Sequence, residues 1–131
     1  MEEIEKDLQI IINILKDETS CTDIVIFGSF ALGTQNSESD IDIAIRTDKE
    51  ITKKDIFELS NKLSDILKRD IDLVDLKQIQ DGFRYEILIN GETIYTKDAI
   101  NFEYYKLDMY REYLELNESR QDIIKKMKEG K

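Results

Sequence analysis

The sequence predicts an α+β (mixed α/β) fold in which a small mixed sheet is flanked by helices, on three observations. Residues 40–46, DIDIAIR, alternate polar and apolar with the period of two of an extended strand. Residues 2–18 and 52–67 instead repeat apolar side chains every three to four positions, as amphipathic helices do. The remaining apolar runs are short, rich in β-branched residues and bounded by glycine or charge, which suits buried strands.

Taken in order, the first helix places Ile4, Leu8, Ile11, Ile12 and Leu15 on one face. Ile24–Phe27 follows as a strand stopped by Gly28, and Gly28 to Ser39 is a small, polar loop with two glycines. In the next strand Asp40 and Asp42 share one face while Ile41, Ile43 and Ile45 share the other. Thr52 with Asp55 forms the N-terminal cap of a helix striped with Ile56, Leu59, Leu63, Ile66 and Leu67. Ile71–Leu76 is a third strand, and Ile79, Phe83 and Ile87 mark a helix that stops at Asn90-Gly91. Residues 92–96 form a short edge strand. From about Asp98 to Met127 the pattern is helical, with a break expected near Asn117-Glu118-Ser119. The expected order is α-β-β-α-β-α-β-α.

Composition excludes several classes of function. The 131 residues carry a formal net charge of −10, with 37% of them charged and 40% hydrophobic. That balance supports a folded core and argues against stable nucleic-acid binding by this chain, which needs clustered Lys and Arg. Histidine is absent, which removes imidazole bases, His-based triads and most catalytic zinc sites. Cys21 is the single cysteine, so no internal disulfide forms, as suits a reducing compartment. It reads as a small buried or half-buried residue. No apolar run approaches the roughly 20 residues needed to span a bilayer. Acids stand where a signal peptide carries basic residues, and a cytoplasmic protein without membrane association is expected.

The chemistry concentrates in three carboxylates on neighbouring strands. Asp40 and Asp42 lie two apart on an extended face, and Asp72 sits in another strand, IDLVDL. Like charges so close are unfavourable unless protonated or neutralised, and oxygen-only ligands favour Mg²⁺ or Mn²⁺. Taken alone, Asp40 and Asp42 fit a solvated strand face equally well. The preceding loop shifts that balance. Gly28-Ser29 follows the first strand directly, where a glycine lets the backbone approach a phosphate and the serine and its neighbouring N–H groups can donate to it. Asp75, on the opposite face from Asp72, reads as solvated. No GxxxxGKS/T or GxGxxG string occurs, so neither a Walker-type loop nor a dinucleotide fold is indicated.

The string GSFALGTQNSESDID, with ten residues between Ser29 and Asp40, resembles the signature of the DNA polymerase beta superfamily of nucleotidyltransferases. The IDLVDL and GETIY segments and the small size resemble its minimal nucleotidyltransferase branch, and the resemblance spans about residues 20–97. It implies a polymerase-beta-type fold, with residues 1–97 as the nucleotidyltransferase domain. Residues 98–131 become a C-terminal helical extension packing on that domain and reaching toward a partner, within one compact unit. It implies that Asp40, Asp42 and Asp72 are catalytic and hold two Mg²⁺ ions (Mn²⁺ being possible), and that Gly28 and Ser29 bind the nucleoside triphosphate. One departure stands out: many members carry Arg where this chain has Leu32, leaving Arg46 or Lys77 as substitutes.

By the same resemblance, the reaction is transfer of AMP from ATP to a hydroxyl. The acceptor implied is a tyrosine of a cognate HEPN ribonuclease toxin, which makes the chain an antitoxin. Two alternatives stay open from sequence: a small-molecule nucleotidyltransferase of the aminoglycoside-modifying kind, and a non-catalytic antitoxin that covers its partner. The C-terminal helix carries one apolar stripe at Phe102, Tyr105, Met109, Tyr113 and Leu116. A second runs through Tyr104, Leu107, Tyr110 and Leu114. Tyrosines at this spacing usually pack at a core or its rim, but a helix serving only its own domain needs one such face, so the second suits another chain.

Overall fold

The computed structural model describes residues 2–28 and 40–129, with side chains over 4–28 and 40–115. Its elements are α1 (Glu2–Glu18), β1 (Cys21–Phe27), β2 (Ile41–Thr47), α2 (Lys53–Leu67), β3 (Ile71–Asp75), α3 (Asp81–Asn90), β4 (Glu92–Thr96) and α4 (Ala99–Glu129). The order is the one expected. The strands form one mixed sheet in the order β3-β2-β1-β4, with β4 on an edge. β1 pairs antiparallel with β2 and β4, while β2 and β3 run parallel, joined by α2 as a parallel pair requires.

Helices cover both faces of the sheet. Ile24, Ile26, Ile43, Ile45 and Leu73 pack with Ile11 and Leu15 of α1 and with Leu59 and Leu63 of α2. The opposite face presents Val25 and Ala44 to Ile87 and Leu88 of α3 and Phe102 of α4. Burial on both faces explains why the central strands read as nearly continuous apolar runs.

Local chemistry sets the ends of α2. The Thr52 side chain accepts a 3.0 Å bond from the Asp55 amide, the cap read from sequence. At the other end Lys68 takes the left-handed conformation (φ 57°), and its amide returns to the Ser64 carbonyl at 2.9 Å. Two serines of α2 then secure the outer edge of β3. Ser60 Oγ donates to the Ile71 carbonyl (2.9 Å) and accepts from the Leu73 amide (3.1 Å), and Ser64 Oγ accepts from the Ile71 amide (3.0 Å). An edge strand thereby finds partners for groups that would otherwise face outward.

Four expectations need correction. β1 starts at Cys21, three residues earlier than the apolar run, because the polar Asp23 is held inside the sheet by Arg46. α4 continues to Glu129 without the break expected at 117–119. Asn117 and Ser119 each cost only tenths of a kcal/mol in helix propensity and Glu118 is a good helix former, too little to interrupt a long helix. Asp75 is buried at 4% exposure rather than solvated, with its Oδ1 accepting from the Lys77 amide at 3.0 Å. Tyr110 turns inward, its hydroxyl donating to the Leu88 carbonyl at 3.0 Å, so it leaves the outer stripe of α4. Cys21 is buried and free, and burial pushes its thiol above the ordinary range.

Candidate active site

The candidate site lies where β1 ends, β2 begins and β3 begins. Phe27, the last residue of β1, is paired with Asp42, and Asp42 is in register with Asp72 across the parallel β2–β3 ladder. Adjacent strands run about 4.8 Å apart, so the two aspartates stand side by side on the face shared with α3 and α4. Asp40 lies just before β2, exposed, and Asp72 is exposed as well. Asp42 is half-buried.

Gly28 turns the chain out of the sheet at φ 72°, a conformation that side-chain-bearing residues avoid. A Cβ there would overlap the Asp42 carboxylate, so the glycine is required twice, by its dihedral and by its closeness to Asp42. The backbone of Gly28 and the Asp42 carboxylate are therefore in contact, as a phosphate-binding turn beside a metal-binding acid would be. Ser29 and Leu32 lie outside the described residues.

The three acids raise one another's cost of ionisation. Burial pushes the Asp42 carboxyl above its ordinary value, and the neighbouring Asp72 and then Asp40 push it the same way. None of the ion pairs among the described residues involves Asp40, Asp42 or Asp72. Nor, among those residues, does any group of three acidic, His or Cys side chains gather closely enough to hold an ion unaided. The donor set nevertheless fits Mg²⁺: all its ligands are oxygens, and this ion keeps several waters and takes phosphate oxygens alongside one or two carboxylates.

The two bases considered as substitutes for the Leu32 departure are committed elsewhere. Arg46 sits four residues along β2 from Asp42, roughly 13 Å away at strand rise, its Nε donating to Asp23 Oδ2 at 2.6 Å. Lys77 Nζ donates to the Thr47 carbonyl at the same far end, at 2.6 Å. Asp75 stays out of the cluster, on the opposite face of β3.

A cavity of about 310 Å³ adjoins Asp42, lined by Phe27, Gly28, Asp42, Phe83, Glu86, Ile87 and Asn90. Phe83 meets Phe27 edge to face, with ring centres 5.6 Å apart. Sequence alone used Phe83 only as one of the apolar residues that mark a helix. Its 41% exposure beside Asp42 was not legible there, nor was the hold that Ser60 and Ser64 keep on β3 around Asp72.

The polymerase beta nucleotidyltransferase family matches residues 9–100 of the chain. The chain belongs to this family. As a member, this nucleotidyltransferase is 32% identical over 117 residues to protein adenylyltransferase MntA of Shewanella oneidensis, an alignment covering 87% of this chain and 82% of that protein. Its fold superimposes on a toxin–antitoxin crystal structure with AMP-PNP at a TM-score of 0.81 and 30% identity, over 92% of this chain and 97% of that one. It is also similar to a chain of the tri-AMPylated Shewanella oneidensis HEPN toxin in complex with MNT antitoxin. There the TM-score is 0.78 at 26% identity, over 94% of this chain and 97% of the other. No helix of this nucleotidyltransferase is long and apolar enough to cross a membrane, among the described residues.

Proposed function

We propose that this nucleotidyltransferase is a protein adenylyltransferase that moves AMP from ATP to a hydroxyl of a HEPN-type toxin, most simply a tyrosine, and so acts as its antitoxin in the cytoplasm. The observation that carries this reading is Asp42, in register with Asp72 on one side and against the Gly28 turn on the other. The similarity to an adenylyltransferase and to antitoxin chains of toxin complexes supports the choice of donor and acceptor.

In this reading Asp40, Asp42 and Asp72 would hold two Mg²⁺ ions, which would supply positive charge against the triphosphate. Gly28, with Ser29, brings backbone and hydroxyl donors to the phosphates. Asp72 is exposed on β3, and in this reading it takes the proton of the acceptor's hydroxyl. The acceptor oxygen bonds to the α-phosphorus, the bond to the bridging oxygen breaks, and pyrophosphate leaves. Most of the acceleration comes from positioning and charge complementarity.

The outer stripe of α4 supports a protein acceptor. Ile100, Tyr104 and Leu107 are 71%, 66% and 53% exposed, an apolar patch on α4, and Leu114, two turns further on, is 53% exposed. The net charge of −10 suits docking on an RNA-cleaving, basic partner.

The test is transfer of label from α-labelled ATP, with Mg²⁺, to a co-purified HEPN protein. Asp42→Asn is expected to abolish transfer, at least 100-fold, while the far-ultraviolet circular dichroism stays that of the wild type. Undiminished transfer by Asp42→Asn would reject the assignment.

A further inference from the structure

We infer that the cavity beside Asp42 receives the nucleobase of the triphosphate substrate, with Phe83 as its stacking platform and Asn90 as a group that reads the edge of the base. The inference rests on the nucleotidyl-transfer reading of the same site and adds to it the residues that would set nucleotide preference.

The order of the strands carries the assignment. Asp72 lies on β3, Asp42 on the central β2, and Phe27 with Gly28 at the end of β1, so moving across the sheet from Asp72 leads past Asp42 to the Gly28 turn. The cavity includes Gly28 and Asp42 but neither Asp72 nor Asp40. It therefore lies on the β1 side of Asp42, away from Asp72, which is where the nucleoside sits if the acceptor enters past Asp72.

The chemistry of the walls points the same way. About 310 Å³ accommodates a purine with some water, and the lining joins two aromatic rings and Ile87 to just three polar side chains. Phe83 is 41% exposed and meets Phe27 edge to face, so ring surface remains that a base could stack on. An asparagine amide offers a donor and an acceptor together, which matches the amine and ring nitrogen on an adenine edge. An aromatic wall with one amide at its end is a familiar solution for holding a base, because every base presents a π-face and only the polar group distinguishes among them.

The test separates base binding from phosphate binding by calorimetric titration of the full chain, with Mg²⁺ present, using AMP-PNP and inorganic tripolyphosphate. Phe83→Ala is expected to weaken AMP-PNP binding roughly 5- to 150-fold, the range for removing one stacked aromatic, and to leave tripolyphosphate binding unchanged. Phe83→Tyr, which keeps the flat ring, is expected to restore it, and Asn90→Ala to narrow the preference for AMP-PNP over its guanine counterpart. Equal loss for both ligands, or no loss for either, would overturn the inference. So would a rise confined to the KM of the protein acceptor, which would give the cavity to the incoming tyrosine. A wild-type chain that binds neither ligand would overturn the nucleotidyl-transfer reading itself, a result that no behaviour of Phe83→Ala can mimic.

Discussion

Two aspartates on one face of this sheet are treated in opposite ways. At one end, Asp23 is wholly buried and fully partnered: Arg46 Nε, the Thr22 hydroxyl and the Thr96 hydroxyl all donate to its carboxylate, at 2.6, 2.7 and 2.7 Å. Arg46 is itself pinned by Asn101 Oδ1 at 2.7 Å and lies over the rings of Phe102 and Tyr105. At the other end, Asp42 has two acids for neighbours, and the ion pairs of the described residues leave all three out. The first end ties β1, β2, β4 and α4 together. The second, among the described residues, leaves its three acids without an ion-pair partner. A fold that commits the half-buried Arg46 to one acid and pairs no described cation with the other separates structure from chemistry within a single strand, β2.

Substitutions at the two ends should therefore diverge. The largest effect is expected for Arg46→Ala, which leaves Asp23 buried without its cation and should cost about 3–5 kcal/mol in a urea unfolding curve. An Arg46→Ala chain as stable as the wild type would show that the pair does not hold the fold. Gly28→Ala is next: the left-handed dihedral alone costs about 1–2 kcal/mol, and the added methyl displaces the Asp42 carboxylate. Transfer activity should fall more steeply than the melting temperature. Equal losses of both would mean that the turn is merely structural.

Ser60→Ala, which strips two partners from the β3 backbone beside Asp72, is expected to cost about 1–3 kcal/mol and to increase hydrogen exchange at the Leu73 amide. Unchanged exchange there would remove Ser60 from the support of the site.

The element order was legible because most signals were local: the period of two over 40–46, the Thr52 cap, the glycine stops. The Asp40, Asp42 and Asp72 trio was legible as a motif, and the parallel register then brought Asp42 opposite Asp72. The structural end of the face was hidden because its contacts are distant in sequence. Nothing in the residues around Asp23 announces Arg46, 23 positions on, or Thr96, 73 positions on. Those two bonds explain why β1 starts early and why Arg46 cannot serve the phosphates. Asp75 was misread for a different reason: strand alternation gave its face correctly but not that the face is packed, where the Lys77 amide supplies a partner. The serines of α2 carry no pattern at all, since a helix surface tolerates serine for many reasons.

Thermal melts of the wild type and Asp42→Asn, with and without Mg²⁺ and AMP-PNP, test the division most directly. The Asp42 carboxyl is raised above its ordinary 3.8, so its contribution to stability is full below that value and is lost as the pH rises through the raised one. At neutral pH the charged group is a liability, and Asp42→Asn should melt at or above the wild type when no metal is present. Metal and nucleotide together should stabilise the wild type, by about 2.7 kcal/mol at roughly 100 times Kd, and leave the variant's melting point where it was. A variant that melts below the wild type without metal, or that gains as much from the ligands, would contradict the claim that Asp42 is kept for a cation.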